Sequence, residues 1–331
     1  MSTQPPRRRG QPAPGGARSA RPRGRGGPGA QQRSGAGPRP RSGAGARRGG
    51  NAQRRDPSTG REQSAPRGLG GDHVEGRQAV RELLRAGNRK VHEVLLAEDA
   101  HESAVLAEIA DLAADRRVPV RETSRRKLRD QALTESPQGV IAKAQEIRPV
   151  PLEELARPHR GAAPLLIAAD SVTDPGNLGA ILRTAEVAGA TGVVLGRHRS
   201  ASLTPAAVKA AAGAIEHLRF AQVGGLPGAL KHLREAGLWA IGLDGNASDG
   251  LEDLRVADEP VVVVVGAEGR GLSTLVERRC DQVISIPVYG RIESLNVAAA
   301  TAVALFDIAR ARAGDVDTAR ARARARARDS A

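Results

Sequence analysis

Cysteine is nearly absent from this 331-residue chain. Its one thiol, Cys280, rules out an internal disulfide and any cysteine-based zinc site, and points to a reducing, cytoplasmic setting in which it serves for packing. Aromatic residues are almost as scarce, limited to Phe220, Trp239, Tyr289 and Phe306. A fold that reads single-stranded RNA by stacking bases on aromatic platforms needs more of them. No apolar run is long enough to span a bilayer, and the opening MSTQPPRRRG leads into no signal-peptide core, so no membrane partner is expected. His73, His198 and His217 lack partners at metal-ligand spacing; each reads as structural or surface, and no metal is expected.

Arginine is abundant and unevenly placed. Residues 1–70 hold sixteen Arg against two acidic residues, a surplus equal to the +14 of the whole chain. Residues 310–331 hold seven Arg against three Asp, which leaves 71–309 at −4. The globular part is therefore not basic, and an acidic partner, nucleic acid foremost, is engaged first by the tails. Drift in base composition explains the same tails without a binding role. Residues 1–70 are Pro, Gly, Arg, Ser and Gln with almost no large apolar side chain, and are expected to be disordered.

Length predicts about two domains. Over 71–145 the pattern alternates: a helix Arg77–Ala86, a strand Val91–Leu96, a helix His101–Asp115, a short strand Val118–Val120, a helix led by Thr123 or Ser124, and a strand Gly139–Ala144. This is a small α/β sandwich. Residues 146–163, with Pro149, Pro151, Pro158 and Gly161, read as a linker. The second domain, 164–312, alternates strands (Leu165–Ala169, Gly192–Gly196, Leu218–Val223, Leu238–Leu243, Val261–Val265, Val283–Ile286) with helices, which argues a doubly wound parallel sheet. A terminal helix runs from about Ser294 to Ala311, and an Ala/Arg tail, 313–331, is able to extend it.

Five consecutive valines, Val261 to Val265, read as a central strand covered on both faces, and open α/β sheets bind ligands at the carboxyl ends of such strands. The glycines that follow (Gly266, Gly269, Gly271) have G-x-x-G-x-G spacing, the reverse of the dinucleotide fingerprint, with no acidic residue near Ile286 and no Gly-Lys-Ser/Thr of a phosphate loop. Three loops each follow a strand of this domain: 170–183, 266–271 and 286–296. In a parallel sheet all three emerge on one side and converge.

The motifs in these loops, D-P-x-N-x-G-x-x-x-R-T-A from Asp174 to Ala185, V-G-A-E-G-x-G-L from Val265 to Leu272, and I-P-x-x-G-x-x-x-S-L-N-V from Ile286 to Val297, resemble in order the three motifs of the SpoU/TrmH RNA ribose 2′-O-methyltransferases of the SPOUT superfamily. The resemblance spans about 72–311, and 72–145 is similar to the ribosomal-protein-like RNA-binding domain of the 23S rRNA branch. It implies a trefoil knot in the C-terminal part, an exception to the unknotted rule, and a homodimer with its active site at the subunit interface. It also implies S-adenosyl-L-methionine bound within the knot, in contact with backbone at Gly266, Ile286 and Leu295.

By motif position, Arg183 and Asn177 lie near the attacking 2′-hydroxyl, Glu268 comes from the glycine loop, and Ser294 and Asn296 sit beside a substrate phosphate. Arg183 is expected to be essential; because its guanidinium stays protonated, orienting the substrate phosphate and stabilising developing charge is favoured over a role as the base, and the proton acceptor stays open. Blander roles remain: Arg183 as a helix-surface residue, Ser294 and Asn296 as caps of the last helix, and Glu268 as a partner of Arg270. Val288, Ala298 and Pro137 depart from the family pattern, where Met, Ser and His are usual. Lys209 and the segment 199–217 resemble the corresponding region of rRNA guanosine methyltransferases. The favoured substrate is therefore a 23S rRNA guanosine; the alternatives are a tRNA ribose methyltransferase, which would lack the 72–145 domain, and a non-catalytic RNA-binding or ribosome-assembly factor, which would lose Arg183, Asn177 or Asn296.

Overall fold

The computed structural model describes residues 68–99, 103–197, 202–292 and 294–329, with backbone alone from 315 onward. The expectation of disorder for 1–70 thus falls almost wholly outside the described residues. Its last residues are within the fold: Leu69 is buried, its N–H donates to Ile147 O at 2.9 Å, and Gly70 bridges to Leu203.

The chain forms two sheets. In the first, β1 (His73–Glu75), β2 (Val91–Ala97), β3 (Val120–Thr123) and β4 (Val140–Ala144) run in the order β1-β4-β2-β3, with β3 at the edge. Helix α1 (Arg77–Ala86) lies against α2 (Ala104–Asp115), and a short α3 (Arg125–Asp130) follows the edge strand. Leu83 and Leu84 of α1 and Leu106 and Ile109 of α2, spaced at helical period, supply the apolar cover.

Short α4 (Leu152–Leu155) lies within the segment read as a linker; Leu155 is fully buried, and Val150 N–H donates to Phe220 O at 2.8 Å. Beyond it come β5 (Leu165–Ala169), α5 (Pro175–Val187), β6 (Gly192–Gly196), α6 (Pro205–Ala210), β7 (Phe220–Val223), α7 (Leu226–Glu235) and β8 (Trp239–Leu243). The chain closes with β9 (Asp249–Gly250), β10 (Val261–Val265), α8 (Thr274–Glu277), β11 (Gln282–Ser285) and α9 (Val297–Asp329). The second sheet is parallel throughout, in the order β7-β6-β5-β10-β8-β11-β9.

The valine run is central, between β5 and β8, and all five side chains are buried. Alternation divides them: Val261, Val263 and Val265 join the core beneath α5, α6 and α9, while Val262 and Val264 join that beneath α7 and α8. Each buried valine contributes about 1.5–3 kcal/mol of transfer free energy.

The first of these cores continues without a break into the small sheet. Charge fixes the seam between them. Arg89 donates from Nε to Glu216 Oε2 at 2.9 Å and from Nη2 to Glu216 Oε1 at 2.6 Å, and its Nη1 reaches the carbonyls of Gly71 and Gln145 at 2.5 and 2.6 Å. Both side chains are more than nine-tenths buried. Asn88 Nδ2 donates to Glu216 O at 2.7 Å, and Lys209 Nζ to Ser136 O. Gly213, at φ 95°, permits the approach, since a Cβ there would lie 2.4 Å from Glu82 Cβ.

Candidate active site

Each of the three motif loops is shaped by its own residues. At the first, Asp174 caps α5 by accepting from Asn177 N–H at 2.7 Å, and Pro175 occupies the first turn, where a missing N–H costs nothing. Gly179 lets α5 meet α6, because a Cβ would stand 2.4 Å from Ala210 Cβ and 2.6 Å from Ala207 O.

The glycine loop is a tight hairpin in which Ala267 and Gly271 exchange two backbone hydrogen bonds of 3.0 Å. Gly269 (φ 73°) and Gly271 (φ 63°) take left-handed backbone that other residues adopt at a cost. Gly266 is needed for space instead: a Cβ would lie 2.2 Å from Gly271 O. Asp170 Oδ2 accepts from Ser273 N–H at 2.7 Å, tying the loop after β5 to the one after β10.

The third loop delivers Asn296, which joins all three. Its Nδ2 donates to Asn177 Oδ1 at 2.9 Å and Glu268 Oε1 at 2.8 Å, while its Oδ1 accepts from Ala298 N–H at 2.9 Å and Ala299 N–H at 3.3 Å. Asn296 thus both caps α9 and bridges the loops, and the cap function is its own rather than that of Ser294.

The second and third of these loops wall a cleft of about 520 Å³ lined by Gly266, Glu268, Ile286, Ser294, Leu295 and Asn296 among others, to which the first loop contributes no lining residue. Asn177 stands at its edge through Asn296. Arg183 does not line it: exposed on α5, it is six residues beyond Asn177, about 9 Å along the axis. Sequence reasoning passed over a third wall, Asp244, Gly245 and Asn246 after β8. Asp244 Oδ1 accepts from Asn246 N–H at 2.9 Å, which holds a carboxylate at the cleft. The rule that drew attention to the other loops, a loop following a parallel strand, marks this one too.

Cys280 lies outside the cleft lining. Burial, reinforced by Asp281 and Glu277, pushes its thiol up to about 12, consistent with packing and not nucleophilic chemistry.

Residues 164–306 match the SpoU rRNA Methylase family, and residues 73–150 match the RNA 2′-O ribose methyltransferase substrate-binding family. The 23S rRNA (guanosine-2′-O-)-methyltransferase RlmB of Pseudomonas aeruginosa is 40% identical over 245 residues, covering 72% of this chain and 96% of that protein. The chain belongs to the SpoU rRNA methylase family.

Two solved methyltransferase structures share its fold. The methyltransferase AviRb of Streptomyces viridochromogenes aligns at 25% identity and a TM-score of 0.61, over 73% of this chain and 90% of that one. An AdoMet-bound rRNA methyltransferase from Sinorhizobium meliloti aligns at 27% identity and a TM-score of 0.59, over 72% and 86%. As a SpoU-family member this chain is an RNA 2′-O-ribose methyltransferase with a mixed α/β, parallel-sheet fold. Among the described residues no group of acidic, His or Cys side chains is arranged to hold a metal, and no helix is long and apolar enough to cross a membrane.

Proposed function

We propose that this protein transfers the methyl group of S-adenosylmethionine to the ribose 2′-hydroxyl of a guanosine in 23S rRNA, acting as a cytoplasmic homodimer with a knotted C-terminal part. The observation that carries the reading is the junction at Asn296, where one side chain holds the first and second motif loops over the cleft.

The cleft suits the donor. Its volume is within the range of small-molecule sites, roughly 300–1,000 Å³. Ile286, Leu295 and Val297 offer apolar walls to an adenine ring, and Asp244 and Glu268 offer negative charge to a sulfonium and an ammonium. Gly266 brings backbone close, as its lack of room for a Cβ attests. The bound donor supplies an electrophilic methyl group.

Held there, the donor would give up its methyl carbon to the 2′-oxygen, the carbon–sulfur electron pair staying with sulfur, and the hydroxyl proton would pass to water or a substrate phosphate. Asn177 and Asn296 position the ribose and its phosphate, which is where most of the acceleration arises. Arg183, permanently cationic, steadies the phosphate and the developing charge.

Arg183 stands apart from its own cleft on α5, which also exposes Val187 and packs against α9, where Val303 and Phe306 are exposed. Exposed apolar residues of this kind suit a second copy, and an isologous dimer would carry Arg183 to the partner's cleft. Mixing two inactive variants, Arg183→Ala and Asn296→Ala, tests this. Complementation across the interface restores roughly a quarter of the wild-type sites, one intact cleft in each mixed dimer of a statistical 1:2:1 population. No restoration means that Arg183 acts within its own chain. Full activity of either variant alone removes that residue from the machinery.

A further inference from the structure

We propose that the edge of the substrate-binding module formed by β3 and α3 is a docking surface for the phosphate backbone of RNA. The inference rests on the RNA-methyltransferase reading above and names where the module holds its substrate. Residues 116–130 contain seven Arg and Lys against two acids, Glu122 and Asp130, within a globular region, 71–309, that sums to −4. The positive charge of the folded part is therefore concentrated here.

Structure orients it outward. Leu128, almost fully buried against Leu95 and Ile141, pins α3 to the sheet, and Ser124 Oγ caps the helix at Lys127 N–H, 3.4 Å away. At 100° per residue, Arg126 then points away from the sheet, with Lys127 and Arg129 on its flanks, and all three are exposed. Arg125 pairs with Asp99 at 2.6 Å and Arg121 with Glu93 at 3.6 Å. Among the described residues Arg117, Arg126, Lys127 and Arg129 have no carboxylate at ion-pair distance. β3 is an edge strand, so nothing in the sheet covers this side.

A chain with four aromatic residues has little means of gripping RNA by stacking, whereas phosphate contacts give affinity without base readout. The buried Arg89–Glu216 pair then holds this module, with whatever strand it has captured, at a fixed distance from the cleft. Cations on an edge strand also discourage strand-to-strand aggregation, a role that needs no RNA.

The test compares full-length wild type, Arg126→Ala/Lys127→Ala/Arg129→Ala, and a charge-matched control, Arg157→Ala/Arg160→Ala/Lys231→Ala, binding unmodified 23S rRNA transcript between about 50 and 200 mM salt. The α3 variant is expected to show a salt slope smaller by about two to three and a raised KM at unchanged kcat, with an unchanged Tm. A slope change equal to the control's, or no change, overturns the proposal, as does aggregation of the α3 variant with RNA binding intact. Arg126→Glu/Arg129→Glu provides a stronger perturbation of the same kind and is expected to weaken binding further. If wild type itself neither binds nor methylates rRNA, the functional reading fails, not merely the surface.

Discussion

Asn296 donates to Asn177 Oδ1 at 2.9 Å across 119 positions of sequence, and the same amide nitrogen reaches Glu268 Oε1 at 2.8 Å. The oxygen of that side chain caps α9. The two duties separate chemically. Asn296→Asp keeps the capping oxygen but loses the donor and sets a carboxylate against Glu268, so Tm should stay near wild type while methyl transfer falls about 100-fold. Asn296→Ala should lose both, with about 1 kcal/mol of stability gone as well. Thermal melts beside single-turnover assays check this; equal activity in Asn296→Asp and wild type would mean that the bridge is incidental.

Gly266→Ala introduces a Cβ at 2.2 Å from Gly271 O, a backbone atom that cannot swing aside. The hairpin must shift, at a cost of about 1–3 kcal/mol. Donor affinity should fall with it, as isothermal titration with S-adenosylmethionine would show. Gly245→Ala, at a neighbouring wall with open space for a Cβ, should leave stability nearly unchanged.

The Arg89–Glu216 pair is buried, so removing one partner strands the other's charge. Arg89→Met should destabilise by about 3–5 kcal/mol, read by urea unfolding. The double variant Arg89→Met/Glu216→Leu should recover much of that loss, because an apolar pair avoids the stranded charge; the Gly71 and Gln145 carbonyls would still lose their donor.

Cys280 gives the pH dependence. Its thiol is raised in the folded protein to about 12, from an ordinary value of 9.0. Between those values the folded state holds a proton that the unfolded chain has lost, so stability from this group is fully present below pH 9 and declines as pH rises toward 12. Native protein at pH 8 should resist iodoacetamide, and unfolded protein should be alkylated readily. Cys280→Ala should flatten the alkaline loss of stability.

Legibility in the sequence followed the strength of each pattern. Leu165–Ala169 and Val261–Val265 were readable as short runs of five buried apolar residues, Gly192–Gly196 as an apolar run bounded by glycines, and Arg77–Ala86 because its apolar face repeats at helical period. β9, two residues long, carries no pattern at all. Helix α5 starts at Pro175, where Asp174 before a proline is a start signal of its own. The last helix begins at Val297, later than Ser294, because Asn296 takes the cap, and it extends well past Ala311 through a run of two strong helix formers, Ala and Arg.

The site was legible in part. Motif order foretold that residues of 170–183, 266–271 and 286–296 meet, and Asn177, Glu268 and Asn296 do meet by hydrogen bonds. That Asn296 would be the link depends on register between strands, which no local pattern encodes; the Asp244 wall was within reach, since its loop follows a parallel strand as the motif loops do. The exposure of Arg183 was equally hidden: it shares a face of α5 with Gly179, four residues earlier, and depends on how far along the helix the contact with α6 extends.

The most direct measurement is transfer of labelled methyl from S-adenosylmethionine to separated, unmodified 23S rRNA, 16S rRNA and tRNA, followed by nuclease digestion of the labelled product. The account predicts label in 23S rRNA alone, recovered as 2′-O-methylguanosine. Label confined to tRNA or 16S rRNA, label on a base, or no transfer to any of the three would contradict it.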